Sequence, residues 1–409
     1  MTARLHRLPN GLTVAIDPMP GVETLAVGLY ADVGARSEPA HLGGLAHMVE
    51  HMVFKGAGDR DARAIAEAVE DVGGALNAWT GREQTVFHAR LLSADLALGV
   101  DLVADFIRAP RFDADELERE KDVVLSELGE ARDTPDDIIF DNLNGAAFPK
   151  QPLGQPVLGS EASIAAITAP DLYAWIADQY RPAGLILAAA GKVDEDALLA
   201  LAEARFGDME PGAPPPFAPA AFADGTHRDN RRFDQVHLAF AHPGLPADHP
   251  DGHALGMFAQ AAGGGMSSRL FQQLREERGL AYSIYSWANG YADTGMFGVY
   301  CAADHARAAQ AQALAHDVLA AAAEDMTDAE VERARAQMKA GLLMGLESVQ
   351  ARCDHLARMI QLKKRVVTPA ELTRDIEAVT RADVLRVGAQ VVSGSRATAT
   401  VGGKLARVA

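Results

Sequence analysis

The segment His47-Met-Val-Glu50-His51 is the most informative stretch of this 409-residue chain for chemistry. It lies within Gly44–Lys55, where apolar residues recur at three- and four-residue steps, a pattern that predicts a helix. At about 100° per residue, His51 projects roughly 40° from His47, and Glu50 roughly 60° to the other side. The three side chains share one face, close enough to build a single small site. Two imidazoles one turn apart can grip one Zn2+, leaving a neighbouring carboxylate to handle a proton. Met48, Val49, Met52, Val53 and Phe54 suit a helix packed in a core with one polar face turned to a cavity.

A catalytic zinc takes a third protein ligand and keeps one position open. The run Asp113–Arg132 reads as an acid-rich helix that offers Glu116, Glu118, Glu120, Glu127 and Glu130. Glu120 and Glu127 stand two turns apart and face the same way, with a drift of about 20°. One can bind the metal while the other steadies the site from behind. Spacing alone leaves the choice between them open.

The elements that must position these groups are mixed. Leu12–Ile16, Thr24–Ala31, Thr85–Leu91 and Leu185–Ala190 read as strands, and Ala62–Val72 and Asp95–Ile107 as further helices. Val236–Ala241, Tyr282–Ala288 and Met296–Ala302 are strands of a second half, followed by helical runs at His305–Ala323 and Asp328–Leu346. Between the halves, Pro211-Gly-Ala-Pro-Pro-Pro216-Phe-Ala-Pro219 predicts an extended linker over 207–225, dividing the chain into 1–206 and 226–409. The flanks also match each other. Ile167-Thr-Ala-Pro-Asp171 pairs with Val379-Thr-Arg-Ala-Asp383, and Gly191-Lys192-Val193 pairs with Gly403-Lys404-Leu405 at the same offset along the chain. The sequence therefore predicts a duplication of α+β halves, antiparallel-rich sheets with helices.

Lys and Arg number 38 against 56 Asp and Glu, a net charge of −18. That balance argues against nucleic acid or anionic lipid as the main partner and leans weakly toward basic peptides. Cys301 and Cys353 cannot build a disulfide framework. No apolar stretch reaches the length of a membrane span, and the N-terminal segment lacks a secretory apolar core, so a cytoplasmic location is expected.

His-x-x-Glu-His is the inverted zincin motif. With Leu8-Pro-Asn-Gly11-Leu12 ahead of it, Gly44-Leu-Ala-His47 entering it and His51-Met-Val-Phe-Lys-Gly56 leaving it, the chain resembles the pitrilysin/insulinase zinc metallopeptidases. The likeness is strongest to the bacterial members and the mitochondrial processing peptidase β subunit. The resemblance implies two sandwich halves forming a clamshell and a zinc-dependent endopeptidase acting on peptides or unfolded segments in an enclosed chamber. At the family's spacing from the second histidine, the third ligand falls on Glu127 in Val123-Val-Leu-Ser-Glu127-Leu, and the family's second acid falls on Glu120. The resemblance thus implies one Zn2+ per chain on His47, His51 and Glu127, with Glu50 activating the zinc-bound water.

It also implies that Gly74-Ala-Leu-Asn77-Ala78-Trp79-Thr80 is an edge strand that pairs with substrate, Asn77 and Ala78 lying near the scissile bond. Arg275 and Tyr282 match an Arg and a Tyr that stabilise the developing oxyanion. The second half has no counterpart of the metal ligands: with Glu116-Leu-Glu-Arg119 matched to Glu330-Val-Glu-Arg333, Glu127 falls on Gly341. Both features sit in one chain, so a homodimer complete without a distinct subunit is the expected assembly. A non-catalytic scaffold of the same fold is the rival reading, and the full set of motif residues weighs against it.

Overall fold

The apolar runs at 24–31 and 236–241 are strands buried on both faces in the computed structural model, which describes residues 3–403. Leu25, Val27 and Leu29 enter one apolar cluster while Ala26 and Tyr30 enter another on the opposite face. In the second half Leu238 and Phe240 divide from Ala239 and Ala241 in the same way. Successive strand residues point to opposite faces, so a sheet covered on both sides demands an unbroken apolar run.

In chain order the strands are β1 (Arg4–Arg7), β2 (Thr13–Pro18), β3 (Thr24–Ala31), β4 (Gly56–Ala57), β5 (Arg60–Asp61), β6 (Ala75–Thr80), β7 (Thr85–Leu92) and β8 (Leu185–Gly191), then β9 (Thr226–Asp229), β10 (Val236–Pro243), β11 (Ser283–Gly290), β12 (Gly295–Ala303) and β13 (Ala397–Val401). The first helices are α1 (Leu45–Val53), α2 (Ala62–Glu70), α3 (Leu96–Arg108), α4 (Ala114–Asp133), α5 (Pro135–Ala147), α6 (Glu161–Ala166), α7 (Ala169–Gln179) and α8 (Glu195–Phe206). They are followed by α9 (Gly252–Gly263), α10 (Ala308–Asp325), α11 (Asp328–Gly345), α12 (Val349–Lys363), α13 (Pro369–Ala378) and α14 (Arg381–Val392).

The chain forms two α+β units. One takes in the chain up to Leu128, Pro156–Ala218 and Met344–Thr368; the other takes Gly129–Gln155, Pro219–Leu343 and the chain from Pro369. The sheet of the first runs β6-β7-β3-β8-β2-β1, and that of the second runs β11-β12-β10-β13-β9. Apart from the added β1 the two orders are the same, and each holds one parallel pair, β2–β8 and β9–β13. The starts of β3 and β10 are as far apart along the chain as the starts of β8 and β13, and that distance is also the offset of the matched segments. The matched Thr-x-x-Asp segments are capping boxes, Thr168 with Asp171 opening α7 and Thr380 with Asp383 opening α14. Lys404 and Leu405, the end of the second match, lie outside the described residues.

The units depart from a simple division at 206 and 226. Helix α5 packs on β13, β10 and β9, and α12 packs on β8, β3 and β2, so each unit is completed by a helix from the other half of the sequence. Each helix covers the sheet face left open by that unit's other helices, which is the physical reason for the exchange. Between α8 and β9 the Pro-rich stretch has no helix or strand, yet it is held down at several points. Ala183 N–H donates to Gly212 O at 2.9 Å and Arg36 Nη2 to Ala218 O at 2.7 Å in the first unit. Ala223 N–H donates to Ala147 O at 2.8 Å in the second. Cys301 and Cys353 are both buried free thiols. No described helix is long and apolar enough to cross a membrane.

Candidate metal and catalytic site

Helix α1 buries Leu45, Ala46, Met48, Val49, Met52 and Val53 and leaves His47, Glu50 and His51 partly accessible on the remaining face. Its start is fixed by two devices. Gly44 takes φ +92°, and a Cβ there would come within 2.8 Å of Leu158 O, so only glycine fits. The buried Glu38 carboxylate accepts from Gly44 N–H at 2.8 Å and Ala46 N–H at 2.7 Å, capping the first turn. Burial pushes its pKa to about 8, against the lowering effect of those two bonds.

The second element of the site is α4, anchored by Leu117, Val124 and Leu128. It brings Glu127 Oε2 to 3.8 Å from His47 Nε2 and 3.6 Å from His51 Nε2, while the two Nε2 atoms lie 3.2 Å apart. Ligands about 2.0–2.1 Å from a tetrahedral zinc stand roughly 3.3–3.4 Å from one another, so the three atoms fit one such ion. They form the one group of three or more His, Cys, Asp or Glu with metal-site spacing among the described residues. His47 is held neutral, its pKa lowered to about 4 by burial and then by His51, and a neutral imidazole is the form that ligates.

Glu120 is not part of that triangle. Its buried carboxylate places Oε1 3.5 Å from His51 Nδ1 and Oε2 2.5 Å from Lys55 Nζ. The seven-residue spacing therefore separates the two acids by role: Glu127 at the Nε2 atoms, Glu120 behind His51.

Glu50 stands beside the triangle with one oxygen, Oε2, buried and lacking a hydrogen-bond partner within the protein. Burial raises its pKa, and nearby Glu127 adds to the rise. Thr80 and His51 act in the opposite direction. A carboxyl shifted upward in this way holds a proton more readily than a solvated one.

Thr80 ends β6, the terminal strand of its sheet, which among the described residues pairs only with β7. Gly81 N–H donates to Gln84 O at 2.7 Å just beyond the strand. By the antiparallel alternation, residues 77 and 79 exchange hydrogen bonds with β7, while Ala78 turns its backbone groups to the free edge. Asn77 Oδ1 accepts from that Ala78 N–H at 2.9 Å. Ala78 is buried and Trp79 is exposed.

Arg275 and Tyr282 lie in the second unit and are brought together there. Arg275 lies in a π-helical turn at Phe271–Glu276, its guanidinium 4.8 Å from the Phe271 ring centre and 5.8 Å from that of Tyr282. Tyr282 is 71% exposed, directly before β11. Sequence reasoning overlooked Glu38 and passed over Lys55. The signal for Lys55 was its position, four residues beyond His51; Glu38 left none, because its bonds are to backbone.

Comparison with known proteins agrees with this layout. Residues 13–161 match the family model described as insulinase (peptidase family M16), and residues 166–338 match the one described as peptidase M16 inactive domain. An uncharacterized zinc protease of Mycobacterium tuberculosis is 38% identical, the alignment covering 98% of this chain and 93% of that protein. The uncharacterized zinc protease YmxG of Bacillus subtilis is 32% identical over 90% of this chain and 91% of its own. Among solved structures, a protease from Helicobacter pylori has a TM-score of 0.91 at 21% identity, covering 98% of this chain and 99% of its own. A peptidase M16 inactive domain from Pseudomonas fluorescens has a TM-score of 0.92 at 22% identity, covering 100% and 99%. The metal-type residues fall within the first matched segment, and among the described residues the second holds no such group. By sequence match along nearly its whole length, the chain belongs to the insulinase family of peptidases, M16.

Proposed function

We propose that the chain is a zinc-dependent endopeptidase holding one Zn2+ on His47, His51 and Glu127. The observation that carries the reading is the triangle of ligand atoms, 3.2, 3.6 and 3.8 Å on its sides, with Glu50 on the same face of α1. When bound, zinc supplies Lewis acidity, lowering the pKa of a water and polarising the scissile carbonyl. Glu50 takes the proton from the attacking water and delivers it to the leaving amine. Its raised pKa supports both halves of that transfer.

The free edge of β6 aligns the substrate, Ala78 offering its carbonyl and, in exchange for Asn77 Oδ1, its N–H. An edge strand pairs with extended backbone, so the substrates are peptides or unfolded segments, with the family resemblance adding the enclosing chamber. The net charge of −18 favours basic ones. The same resemblance assigns Arg275 and Tyr282 to the carbonyl oxygen as charge develops, and a homodimer to the working assembly. The test is turnover of a mixture of quenched fluorogenic peptides with zinc, with chelator, and by Glu50→Gln. Cleavage that chelation abolishes, zinc restores and the variant lacks would support the reading. Cleavage that survives both chelation and the substitution would overturn it.

A further inference from the structure

We propose that Lys55 is a positioning residue of the metal centre, clamping Glu120 so that this acid fixes the His51 ring. The inference rests on the reading of the triangle as a zinc site and extends it outward. Glu120 has a side chain only 4% exposed, and a carboxylate so deeply placed needs a charged or hydrogen-bonding partner. Lys55 Nζ supplies one at Oε2, 2.5 Å away. With Oε2 engaged, Oε1 is the oxygen left facing His51 Nδ1 at 3.5 Å. A partner at Nδ1 sets both the ring orientation and the tautomer, leaving Nε2 as the lone pair toward the metal.

The clamp is local to α1 in an economical way. His51 lies in the last turn of the helix, and Lys55 follows two residues after the helix ends at Val53. The chain there stays close to helical, with Lys55 N–H donating to Met52 O at 3.1 Å. The ligand and the cation that orders its supporting acid therefore come from one short segment, closing across α4. His47 has no equivalent device: its Nδ1 is buried without a hydrogen-bond partner in the protein. The orientation of His51 is thus the one in the pair that depends on a charge network. The outer side of Lys55 lines an open cleft of about 530 Å³ with Arg111, Asp113, Glu116, Arg119 and Tyr173, which leaves room for a guanidinium in its place.

The test compares zinc affinity, by competition with a chromogenic chelator, for the wild-type chain, Lys55→Met, Lys55→Arg, Glu120→Gln and the Lys55→Met/Glu120→Gln double variant. The absorption spectrum of each Co2+-loaded protein is recorded alongside, since it reports ligand geometry independently of turnover. Lys55→Met is expected to weaken zinc binding about 10-fold or more and to change the Co2+ spectrum. Lys55→Arg should restore most of the affinity, and Lys55→Met should add little once Glu120 is already Gln. Wild-type affinity in Lys55→Met would overturn the proposal, as would full additivity in the double variant. A wild-type chain that binds no zinc would overturn the metal-site reading itself. Should Lys55→Met fail to fold, a Lys55→Arg chain that folds but binds zinc as poorly as Glu120→Gln would equally refute it.

Discussion

His47 Nε2 and His51 Nε2 converge to 3.2 Å from successive turns of α1, although both side chains are largely buried. The two ring nitrogens are within hydrogen-bond distance, either one donating according to its tautomer, and with Glu127 Oε2 they form a triangle of the size a zinc ion would occupy. The consequences can be measured separately.

Glu50→Gln keeps the size and shape of the side chain and removes its ability to carry a proton. It is expected to lower kcat by about 10²–10⁴-fold, with zinc content and KM near those of the wild type. Steady-state kinetics with metal analysis checks this. A variant with normal kcat would remove Glu50 from the chemistry.

Metal removal should destabilise the first unit, because ligands that bind only the folded state add stability by mass action. At free zinc 100-fold above its Kd the gain is about 2.7 kcal/mol. For a unit of this size that corresponds to a rise in Tm of roughly 5–10 °C. Thermal melts with zinc and with chelator should show the shift in the wild type and not in His51→Ala.

The zinc-free chain should lose stability in mild acid. Burial holds His47 at about 4, and burial with Arg396 and His242 nearby holds His316 at about 3, against about 6.5 in an unfolded chain. Between those values the unfolded state binds protons that the folded state refuses, so stability rises with pH. The contribution is complete above about pH 6.5 and drains away as pH falls toward 4 and then 3, at most about 1.4 kcal/mol per pH unit for each group. His316 packs against Phe240, ring centres 4.0 Å apart, with Nε2 buried and unpartnered. His316→Leu should therefore flatten the decline in denaturation midpoints between pH 7.5 and 5. An unchanged slope would contradict this assignment.

At the β6 edge, Ala78→Pro removes a backbone donor that β7 does not use. It should leave the β6–β7 ladder intact and reduce kcat/KM about 10-fold, chiefly through KM, because the substrate can no longer take over the N–H that donates to Asn77 Oδ1. The same substitution at Trp79 breaks a ladder bond and is expected to cost stability instead. Peptide kinetics and thermal melts on the two variants distinguish a substrate edge from a merely structural one.

How far the sequence reached follows from how local each signal is. The motif helix, the acid-rich helix and the strands at 24–31, 85–92 and 185–191 are written in short-range periodicity, and the structure places them within a few residues of the expected bounds. The repeated Thr-x-x-Asp was legible because a capping box is a four-residue device. The exchange of α5 and α12 was not, since which sheet a helix covers depends on partners far along the chain. Tyr30 meets Asp354 at 2.6 Å and Asp17 meets Arg352 at 2.7 Å, contacts that no local pattern announces. Glu38 was hidden for a related reason: its role is to bind backbone N–H groups, which are alike in every sequence.

The central claim is that His47, His51 and Glu127 together hold one zinc ion. It is tested most directly by diffraction from crystals grown with zinc, with data collected on both sides of the zinc absorption edge. The expected result is a single anomalous peak per chain, about 2.0–2.2 Å from His47 Nε2, His51 Nε2 and a Glu127 oxygen. No peak at that triangle, or a peak held by other residues, would contradict the account.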